Sequence, residues 1–395
     1  MKRTSNMYSL LLALIYISFI SLGLPDSLLG SVWPVMQPQL DVPLSYAGIV
    51  SMIIAGGTVC SSLLSDRSAY RIGTGKVTAI SVGMTAVALF GFSASTHFFE
   101  LCLWAIPYGL GAGGVDAALN NYVALHYKSR HMSWLHCFWG VGASIGPYIM
   151  GYSLSSGYGW ENGYFVIFVI QIILTAILFM SLPLWKQNKK SDEIKTAPKG
   201  LKATLKIKGV AYVLVAFFSY CALETTTGLW TASYLVREKG IDETTAATCV
   251  AMVYLGVTLG RFLCGFVADK FGDKTMIRLG IITVIIGIIM LILPLSSYYV
   301  AVIGVLVIGF GCAPIYPSII HSTPHNFGAE NSQAVIGVQM ASAYLGSTFM
   351  PSLFGFLANN ISISLYPYFL MLFAVLMLFM TEKLNVIKVK KNSLS

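Results

Sequence analysis

Long apolar stretches, separated by short polar segments, run along the whole chain. An α-helix needs about 20 mostly apolar residues to cross the hydrocarbon core of a bilayer, and these stretches reach that length. The apolar residues are continuous rather than alternating, which favours helices over a β-barrel. The pattern predicts twelve membrane-spanning helices, near residues 8–30, 44–64, 77–95, 98–125, 132–154, 163–184, 208–235, 243–268, 276–295, 299–322, 331–358 and 364–382.

The composition agrees with a chain that lipid covers. Of the 395 residues, 56% are hydrophobic and only 10% are charged, whereas soluble domains carry about a quarter charged residues. Lys2 and Arg3 precede the first apolar stretch, but no small-residue cleavage site closes it, so we expect an uncleaved first helix. The seven cysteines lie in apolar stretches without CxxC spacing. We interpret them as free, buried thiols and expect no metal site.

Basic residues are distributed unevenly among the predicted loops. Of the 25 Lys and Arg residues, 22 lie at the two termini or in even-numbered loops, and only Arg237 and Lys239 lie in odd-numbered loops. Because basic loops stay in the cytoplasm, we predict a multi-pass plasma-membrane protein with both termini and the lysine-rich segment 185–207 on that side. The net charge of +9 then reflects topology and contact with anionic lipid, and we expect no nucleic-acid partner.

The two halves of the chain repeat several residues in the same order, at offsets of 198 to 204. Such a repeat indicates a duplication. We predict an N-terminal six-helix bundle over 1–184, a cytoplasmic linker over 185–207 and a C-terminal six-helix bundle over 208–395. Parallel repeats place a solute site between them, near the bilayer midplane. The matched pairs include Asp26 with Glu224, Asp66 with Asp269, Gly109 with Gly309, Gly142 with Gly346, and Gly151 with Gly355.

Three carboxylates, Asp26, Asp116 and Glu224, fall within predicted spans. A charge at the bilayer centre costs about 2.5–3.5 kcal/mol on insertion scales, so each acid must face a cavity, pair with another group or take up a proton. Removal from water favours the protonated form, which suits a group that exchanges a proton. We predict that all three couple proton movement to transport. The alternative is a protonated acid hydrogen-bonded to a neighbouring helix.

Polar and aromatic side chains accompany these acids. Asn120 lies four residues after Asp116 on the same helix face, and Trp33 lies seven residues after Asp26, also on one face. Carboxylates and amides bind hydroxyl groups, and aromatic rings stack on sugars, so the set predicts a site for a small polar solute. The predicted substrate-binding residues are Asp26, Trp33, Asp116, Asn120, Asn121, His136, Trp139, Glu224, Trp230 and Tyr316.

Other interpretations stay open for some of these side chains. Trp33 and Trp230 could belong to an interfacial aromatic belt, and His136 could form a hydrogen bond between helices. Glycines beside a proline in helices 5 and 11 indicate seams of close helix packing. Pro314 and Pro317 predict a break in helix 10.

The segment after predicted helix 8 has the pattern of a hinge or gate. It reads GFVADKFGDK over 265–274; its glycines allow close backbone approach, and its aspartate can cap a helix or pair with a basic residue. We group Arg261 with this clamp rather than with the solute. The predicted gating residues are Gly265, Asp269, Lys270, Gly272, Lys274, Arg261 and, in the first half, Asp66 and Arg67.

With these motifs the chain resembles the major facilitator superfamily and, within it, the fucose and glucose proton symporter group. The 265–274 segment is similar to the superfamily's signature loop. Similarity to the symporter group lies in Asp26, Gly111, Asp116, Ala117, Ala118, Asn120, 222–225 and 315–317. The resemblance implies two pseudo-symmetric six-helix bundles, with Asp26 and Asp116 as substrate and proton carboxylates. The chain departs from the group at Asp116, where glutamate is usual, and at Asn121, where proline is usual.

The sequence therefore predicts an all-α membrane protein that moves a small polar solute by proton-coupled symport with alternating access; the resemblance implies a sugar. One alternative is a proton-coupled efflux antiporter for drugs or metabolites, and a second is a membrane receptor that transports nothing. Sodium is an alternative coupling ion, because carboxylates and carbonyls also suit it. The sequence has no nucleophile–base arrangement or phosphate loop, so we predict no enzymatic activity and no cofactor. We expect a monomer whose partners are solute, protons and membrane lipid.

Overall fold

The computed structural model is almost entirely helical. It describes residues 2–43, 46–187, 198–241, 243–293 and 298–392, and these residues contain no β-strand. Ten helical segments within them are long and apolar enough to cross a membrane. The prediction of an all-α membrane fold is therefore confirmed.

The Cα positions divide the chain into two compact units. Unit 1 comprises Met1–Tyr122 and Leu135–Lys199, and unit 2 comprises Val123–Trp134 and Gly200–Ser395. The junction after residue 199 falls inside the predicted linker, of which residues 188–197 lie outside the described part of the chain. The predicted bundle boundaries at 184 and 208 stay a prediction, and the sequence did not indicate that 123–134 would group with unit 2.

The first eight helices of the described residues lie mainly in unit 1: α1 (Lys2–Asp26), α2 (Leu28–Gln39), α3 (Tyr46–Ile72), α4 (Thr74–Ala94), α5 (Phe98–His126), α6 (Ser129–Ser155), α7 (Gly159–Met180) and α8 (Leu182–Gln187). The helices that follow lie in unit 2: α9 (Leu201–Leu205), α10 (Val210–Lys239), α11 (Glu243–Phe271), α12 (Asp273–Ile292), α13 (Tyr298–Cys312), α14 (Ile315–His321), α15 (Thr323–Phe327), α16 (Ala329–Asn360) and α17 (Tyr366–Asn392).

Two long helices, α6 and α16, are less apolar than the other spans. They contain 27 and 32 residues. At 1.5 Å per residue these lengths correspond to roughly 40 and 48 Å, more than the hydrocarbon core of about 30 Å. Many of their residues are glycine, serine or other small and polar types, so they fall outside the ten apolar segments. With these two, the described helices account for the twelve predicted spans.

Close helix crossings occur at equivalent glycines of the two units. A Cβ atom added to Gly142 of α6 would lie 2.0 Å from the carbonyl oxygen of Ile20 in α1. A Cβ atom added to Gly346 of α16 would lie 2.5 Å from the carbonyl oxygen of Phe218 in α10. Backbones approach this closely only where a side chain is absent. Gly142 and Gly346, an equivalent pair of the predicted packing glycines, therefore both lie at close helix crossings, whereas a Cβ atom added to Gly151 would meet nothing within 4 Å.

A proline near the end of α1 is compensated by a side chain of another helix. Pro25 has no N–H to donate to the carbonyl of Ser21, four residues earlier. Gln171 of α7 supplies the missing donor, because its Nε2 lies 2.7 Å from that oxygen, while its Oε1 accepts from Thr85 Oγ1 at 2.6 Å. The buried amide of Gln171 thus satisfies the backbone oxygen that Pro25 leaves without its helical donor, shortly before Asp26.

The helix breaks at Ser27, and a second proline is compensated there. α1 ends at Asp26 and α2 continues to Gln39, well past the predicted end at residue 30. Ser27 Oγ donates to the carbonyl oxygen of Ala143 at 2.7 Å; this is the carbonyl that Pro147 leaves without its helical partner. The interruption therefore ties α1 to α6 beside a predicted functional carboxylate.

The predicted break in helix 10 is confirmed. α13 ends at Cys312 and α14 begins at Ile315, with Pro314 as the residue before the new helix. The helical path resumes at once, since Ser318 N donates to Pro314 O at 3.2 Å. The break places Tyr316 in the first turn of α14.

Candidate functional site

Asp26 ends α1, and two neutral donors hold its carboxylate. Tyr108 Oη of α5 donates to Oδ1 at 2.9 Å, and Trp139 Nε1 of α6 donates to Oδ2 at 2.9 Å. Asp26 keeps an exposed surface within the described structure. A carboxylate that is held at both oxygens and still accessible has the geometry that proton exchange requires. The structure thus brings Asp26 and Trp139 together, as the sequence predicted for binding residues.

Asp116, Asn120 and His136 form a hydrogen-bonded chain inside unit 1. Asn120 Nδ2 donates to Asp116 Oδ1 at 2.7 Å, and Asn120 Oδ1 lies 3.0 Å from His136 Nε2. Asp116 is only 5% exposed, and Asn121, five residues later, is also buried. His136 therefore makes the bond between helices that was its alternative interpretation. An acid, an amide and an imidazole connected in this way can hold a proton away from water.

Trp33 and Trp230, the two predicted binding tryptophans that lie outside α6, are held in place by contacts within the protein. Trp33 is 3% exposed, so its side chain lies in the interior of unit 1 and not in an interfacial belt. The helix is interrupted at Ser27, between Asp26 and Trp33, and the predicted binding role of Trp33 stays a prediction. Trp230 Nε1 donates to the carbonyl oxygen of Pro351 at 2.9 Å, which attaches α10 to α16.

An ion pair connects α10 and α11 in unit 2. Nη2 of Arg261 lies 3.0 Å from Glu224 Oε1 and 3.3 Å from Tyr220 Oη. The ring of Tyr316 lies beside the guanidinium, with 6.0 Å from Cζ to the ring centroid. Two predicted binding residues, Glu224 and Tyr316, therefore meet at Arg261. This placement differs from the grouping of Arg261 with the gating segment that the sequence suggested.

The predicted gating segment contacts residues 123–134, which belong to the same unit. Arg130 Nε lies 2.9 Å from Asp269 Oδ2. Gly265 makes room for an indole, because a Cβ atom there would lie 2.0 Å from Trp134 Nε1. Trp134 Nε1 in turn donates to Phe262 O at 3.2 Å. The glycine of this segment is therefore required by a neighbouring ring.

Asp273, at the start of α12, joins three elements of unit 2. Its Oδ1 accepts from Ser129 Oγ at 2.6 Å, and its Oδ2 lies 2.7 Å from His321 Nδ1. His321 Nε2 lies 3.1 Å from the carbonyl oxygen of Tyr127. The carboxylate thus organises the end of α14 and the segment before α6.

The remaining predicted gating residues lie at helix ends. Asp66 Oδ2 accepts a hydrogen bond from the backbone N–H of Lys199 at 2.9 Å. Gly272 has φ of +74°, a conformation that glycine adopts readily, and precedes α12. Five members of the predicted gating set are exposed: Arg67, Asp269, Lys270, Gly272 and Lys274. The gating role of the whole set stays a prediction.

Sequence reasoning missed several partners of these residues. Tyr220 lies one helical turn before Glu224, so the shared face was a usable signal. Tyr108, which donates to Asp26, and Gln171, which donates to the carbonyl of Ser21, carried no such signal, because they lie on helices distant in the chain. Hydrogen bonds of this kind depend on how helices cross, which local spacing does not reveal.

Comparison with known proteins decides the family. A model of the Major Facilitator Superfamily matches residues 15–229 and 212–390. The chain belongs to this superfamily. It is therefore a multi-pass membrane transporter, and the twelve predicted spans agree with that fold.

Individual superfamily members share a low sequence identity with this chain, but the similarity extends over most of its length. "Bypass of stop codon protein 6" of Saccharomyces cerevisiae is 23% identical over 389 residues, covering 89% of this chain and 77% of that protein. The cis,cis-muconate transport protein of Acinetobacter baylyi is 24% identical, covering 84% and 83%. The solved structure of the E. coli fucose:proton symporter FucP has a TM-score of 0.78 at 15% identity, covering 95% and 99%. The predicted resemblance to the sugar:proton symporters is thus confirmed for the fold.

Proposed function

We propose that this transporter is a proton-coupled symporter that carries a small polar solute across the plasma membrane by alternating access, with both termini in the cytoplasm. The observation that carries the proposal is the environment of Asp26. Its two oxygens accept from Tyr108 and Trp139, which are neutral donors. A proton can therefore add to this carboxylate without leaving an unpaired cation beside it. The fold likeness to a fucose:proton symporter supports both the proton and a hydroxyl-rich solute of sugar size.

The ionised carboxylate is the form that resists crossing the bilayer. A charge at the centre of a span costs about 2.5–3.5 kcal/mol, so protonation removes much of the cost of passing through a closed state. A potential of 100 mV supplies about 2.3 kcal/mol per proton, and about 1.4 kcal/mol corresponds to a tenfold ratio. One proton per solute would then support roughly a 50-fold gradient.

Asp116 would serve as the second proton carboxylate. Its Oδ1 is held by Asn120, which also contacts His136. These three hydrogen-bonded side chains lie in the interior of unit 1, where water reaches them poorly. A proton on Asp116 would therefore exchange more slowly than one on the exposed Asp26, and Asp116 would act as the retained site during the transport cycle.

The test compares two variants in proteoliposomes, with a solute found by thermal-shift screening against sugars, sugar acids, nucleosides and amino acids. Asp26→Asn and Asp116→Asn should keep solute exchange between the two sides but lose accumulation driven by a pH gradient. Asp41→Asn is the matched control, because Asp41 is an exposed loop residue with φ of 51°, which asparagine tolerates. Full accumulation by Asp26→Asn would contradict the symport proposal. Solute uptake into inverted vesicles that occurs only while protons flow out of them would contradict it as well.

A further inference from the structure

A permanently charged side chain lies buried in the middle of α11. The side chain of Arg261 is 5% exposed, and residue 261 lies ten positions before the helix ends at Phe271. A guanidinium stays protonated in proteins, so it cannot escape burial by losing its charge. A buried cation of this kind requires an anion in contact with it. Arg261 therefore has a specific counter-ion requirement.

Glu224 meets this requirement only in part. One carboxylate oxygen, Oε1, contacts Nη2 at 3.0 Å. Arginine and a carboxylate usually form two parallel N–H···O bonds when geometry allows. In the described structure Nε of Arg261 is buried and has no hydrogen-bond partner. Buried donors without an acceptor are rare and costly, so the guanidinium retains capacity for a second acceptor.

The surroundings show from which side an acceptor can arrive. The side chain of Glu224 is 21% exposed, against 5% for Arg261. The carboxylate of Glu224 is therefore partly exposed, whereas the guanidinium of Arg261 is enclosed by protein. The ring of Tyr316 lies beside the guanidinium, with 6.0 Å from Cζ to the ring centroid, and packs against Phe217, whose ring centroid is 4.6 Å from its own. A group entering from the open side would meet Glu224 and Arg261 together.

A further hydroxyl lies along the same helix faces. Tyr254 and Arg261 are seven residues apart on α11, and Glu224 and Gly228 are four apart on α10. Tyr254 Oη occupies the space that a side chain at 228 would take, since a Cβ atom there would lie 2.0 Å from it. The exposed side of the pair therefore continues into a polar strip that contains a phenol, a carboxylate and a guanidinium.

From this geometry we propose that Arg261 binds a carboxylate group of the transported solute, and that a proton on Glu224 releases the guanidinium for it. The proposal rests on the proposed transport function and names the solute class as a small organic acid with hydroxyl groups, such as a sugar acid. The solute carboxylate takes the place of Oε1 and gives Nε its missing acceptor. Tyr254 is positioned to bind a hydroxyl of the same solute.

The arrangement couples the two ligands. Two carboxylates beside one guanidinium repel each other, so an anionic solute binds better after Glu224 has gained a proton. Conversely, a protonated Glu224 leaves Arg261 as a buried cation, which an anion then stabilises. Each ligand therefore strengthens the other's binding by the same factor, as linkage requires. The transported unit on this half is a proton together with an acid anion.

The test uses purified protein and matched pairs of probes: galacturonate with galactose, glucuronate with glucose, and muconate with its diamide. Dissociation constants are measured by calorimetry at pH 6 and pH 8. At least one acid should bind wild type tenfold or more tightly than its neutral partner, and more tightly at pH 6 than at pH 8. A panel in which no acid binds better than its neutral partner would overturn the proposal.

Two variants separate a binding role from a merely structural ion pair. Arg261→Gln should weaken acid binding at least tenfold and leave binding of the neutral partner within twofold. Glu224→Gln, which imitates the protonated acid, should bind the acid at pH 8 at least as tightly as wild type does at pH 6. A structural pair predicts instead that both variants bind every probe less well. Since Arg261→Gln alone could misfold, the result for Glu224→Gln decides between these outcomes.

The control and the transport measurement keep this inference distinct from the proposed function. Arg278→Gln removes another ion pair of unit 2, between Arg278 and Glu382, and should leave probe binding unchanged. If acids bind through Arg261 but a pH gradient drives no uptake, the symport proposal fails while the site stands. If a neutral solute accumulates fully in Arg261→Gln, the carboxylate proposal fails while symport stands.

Discussion

A single methyl group at residue 142 should disturb the crossing that positions Trp139 on Asp26. The added Cβ atom of Gly142→Ala would lie 2.0 Å from the carbonyl oxygen of Ile20, whereas ordinary van der Waals contact begins near 3.4 Å. The neighbour is backbone, so it cannot rotate aside as a side chain would. α1 and α6 must then separate by more than an ångström, which stretches the bond from Trp139 Nε1 to Asp26, 2.9 Å long in the native crossing.

The cost can be isolated with a second glycine of the same helix. A Cβ atom added to Gly151 meets nothing within 4 Å. Both substitutions gain the same helix propensity, about 1 kcal/mol. The difference in unfolding free energy between Gly142→Ala and Gly151→Ala therefore reports the clash alone. Overpacking of this kind costs about 1–3 kcal/mol, so Gly142→Ala should be the less stable variant by that amount.

The assay measures thermal unfolding midpoints of both variants in one detergent, together with proton-driven uptake. About 1 kcal/mol shifts the midpoint by roughly 2–4 °C in a unit of 150–250 residues, so Gly142→Ala should unfold several degrees below Gly151→Ala. Uptake should fall in Gly142→Ala and persist in Gly151→Ala. Equal midpoints with equal uptake would refute the reasoning that backbone contact at this crossing holds the Asp26 site in place.

Two further substitutions test contacts that shape the same units. Gln171→Leu leaves the carbonyl of Ser21 without a donor and should destabilise by about 1–3 kcal/mol in chemical unfolding; in a Pro25→Ala background, which restores a backbone N–H, the cost should shrink, and an unchanged cost would argue against this compensation. Gly265→Ala should collide with Trp134 and lower the thermal midpoint, and Trp134→Ala should recover part of the loss if the collision is its cause.

The helices of this protein are predictable from sequence because lipid solvation imposes a simple rule. A continuous apolar stretch of sufficient length must become a helix in hydrocarbon, because a single segment surrounded by lipid can form all its backbone hydrogen bonds only as a helix. The rule is weaker at α6 and α16, whose many glycines and polar side chains leave them outside the ten apolar segments.

The acidic residues of the candidate sites could be predicted from the sequence, whereas most of the contacts that they make could not. Periodicity along a helix placed Asn120 correctly beside Asp116, because α5 is continuous there. For Trp33 the same argument stays a prediction, because the helix is interrupted at Ser27, between it and Asp26. Spacing along α11 was also the reason for grouping Arg261 with the gating segment; this role stays a prediction, although the side chain contacts Glu224. The eight residues from Arg261 to Asp269 turn a helix by about 80° beyond whole turns, so those two side chains leave α11 in different directions.

The matched acids of the two units have opposite kinds of partner, and under the two proposals above this difference gives them different roles. Asp26 is held by the phenol of Tyr108 and the indole of Trp139, so its charge can be neutralised by a proton alone. Glu224 is held by Arg261, so a proton there uncovers a buried cation that only an anion can stabilise. Under the two proposals above, a proton can reside on Asp26 with or without solute, whereas a proton on Glu224 is stabilised by a bound acid. Matched positions of the two halves would then serve as one site for the ion and one site where ion and solute meet.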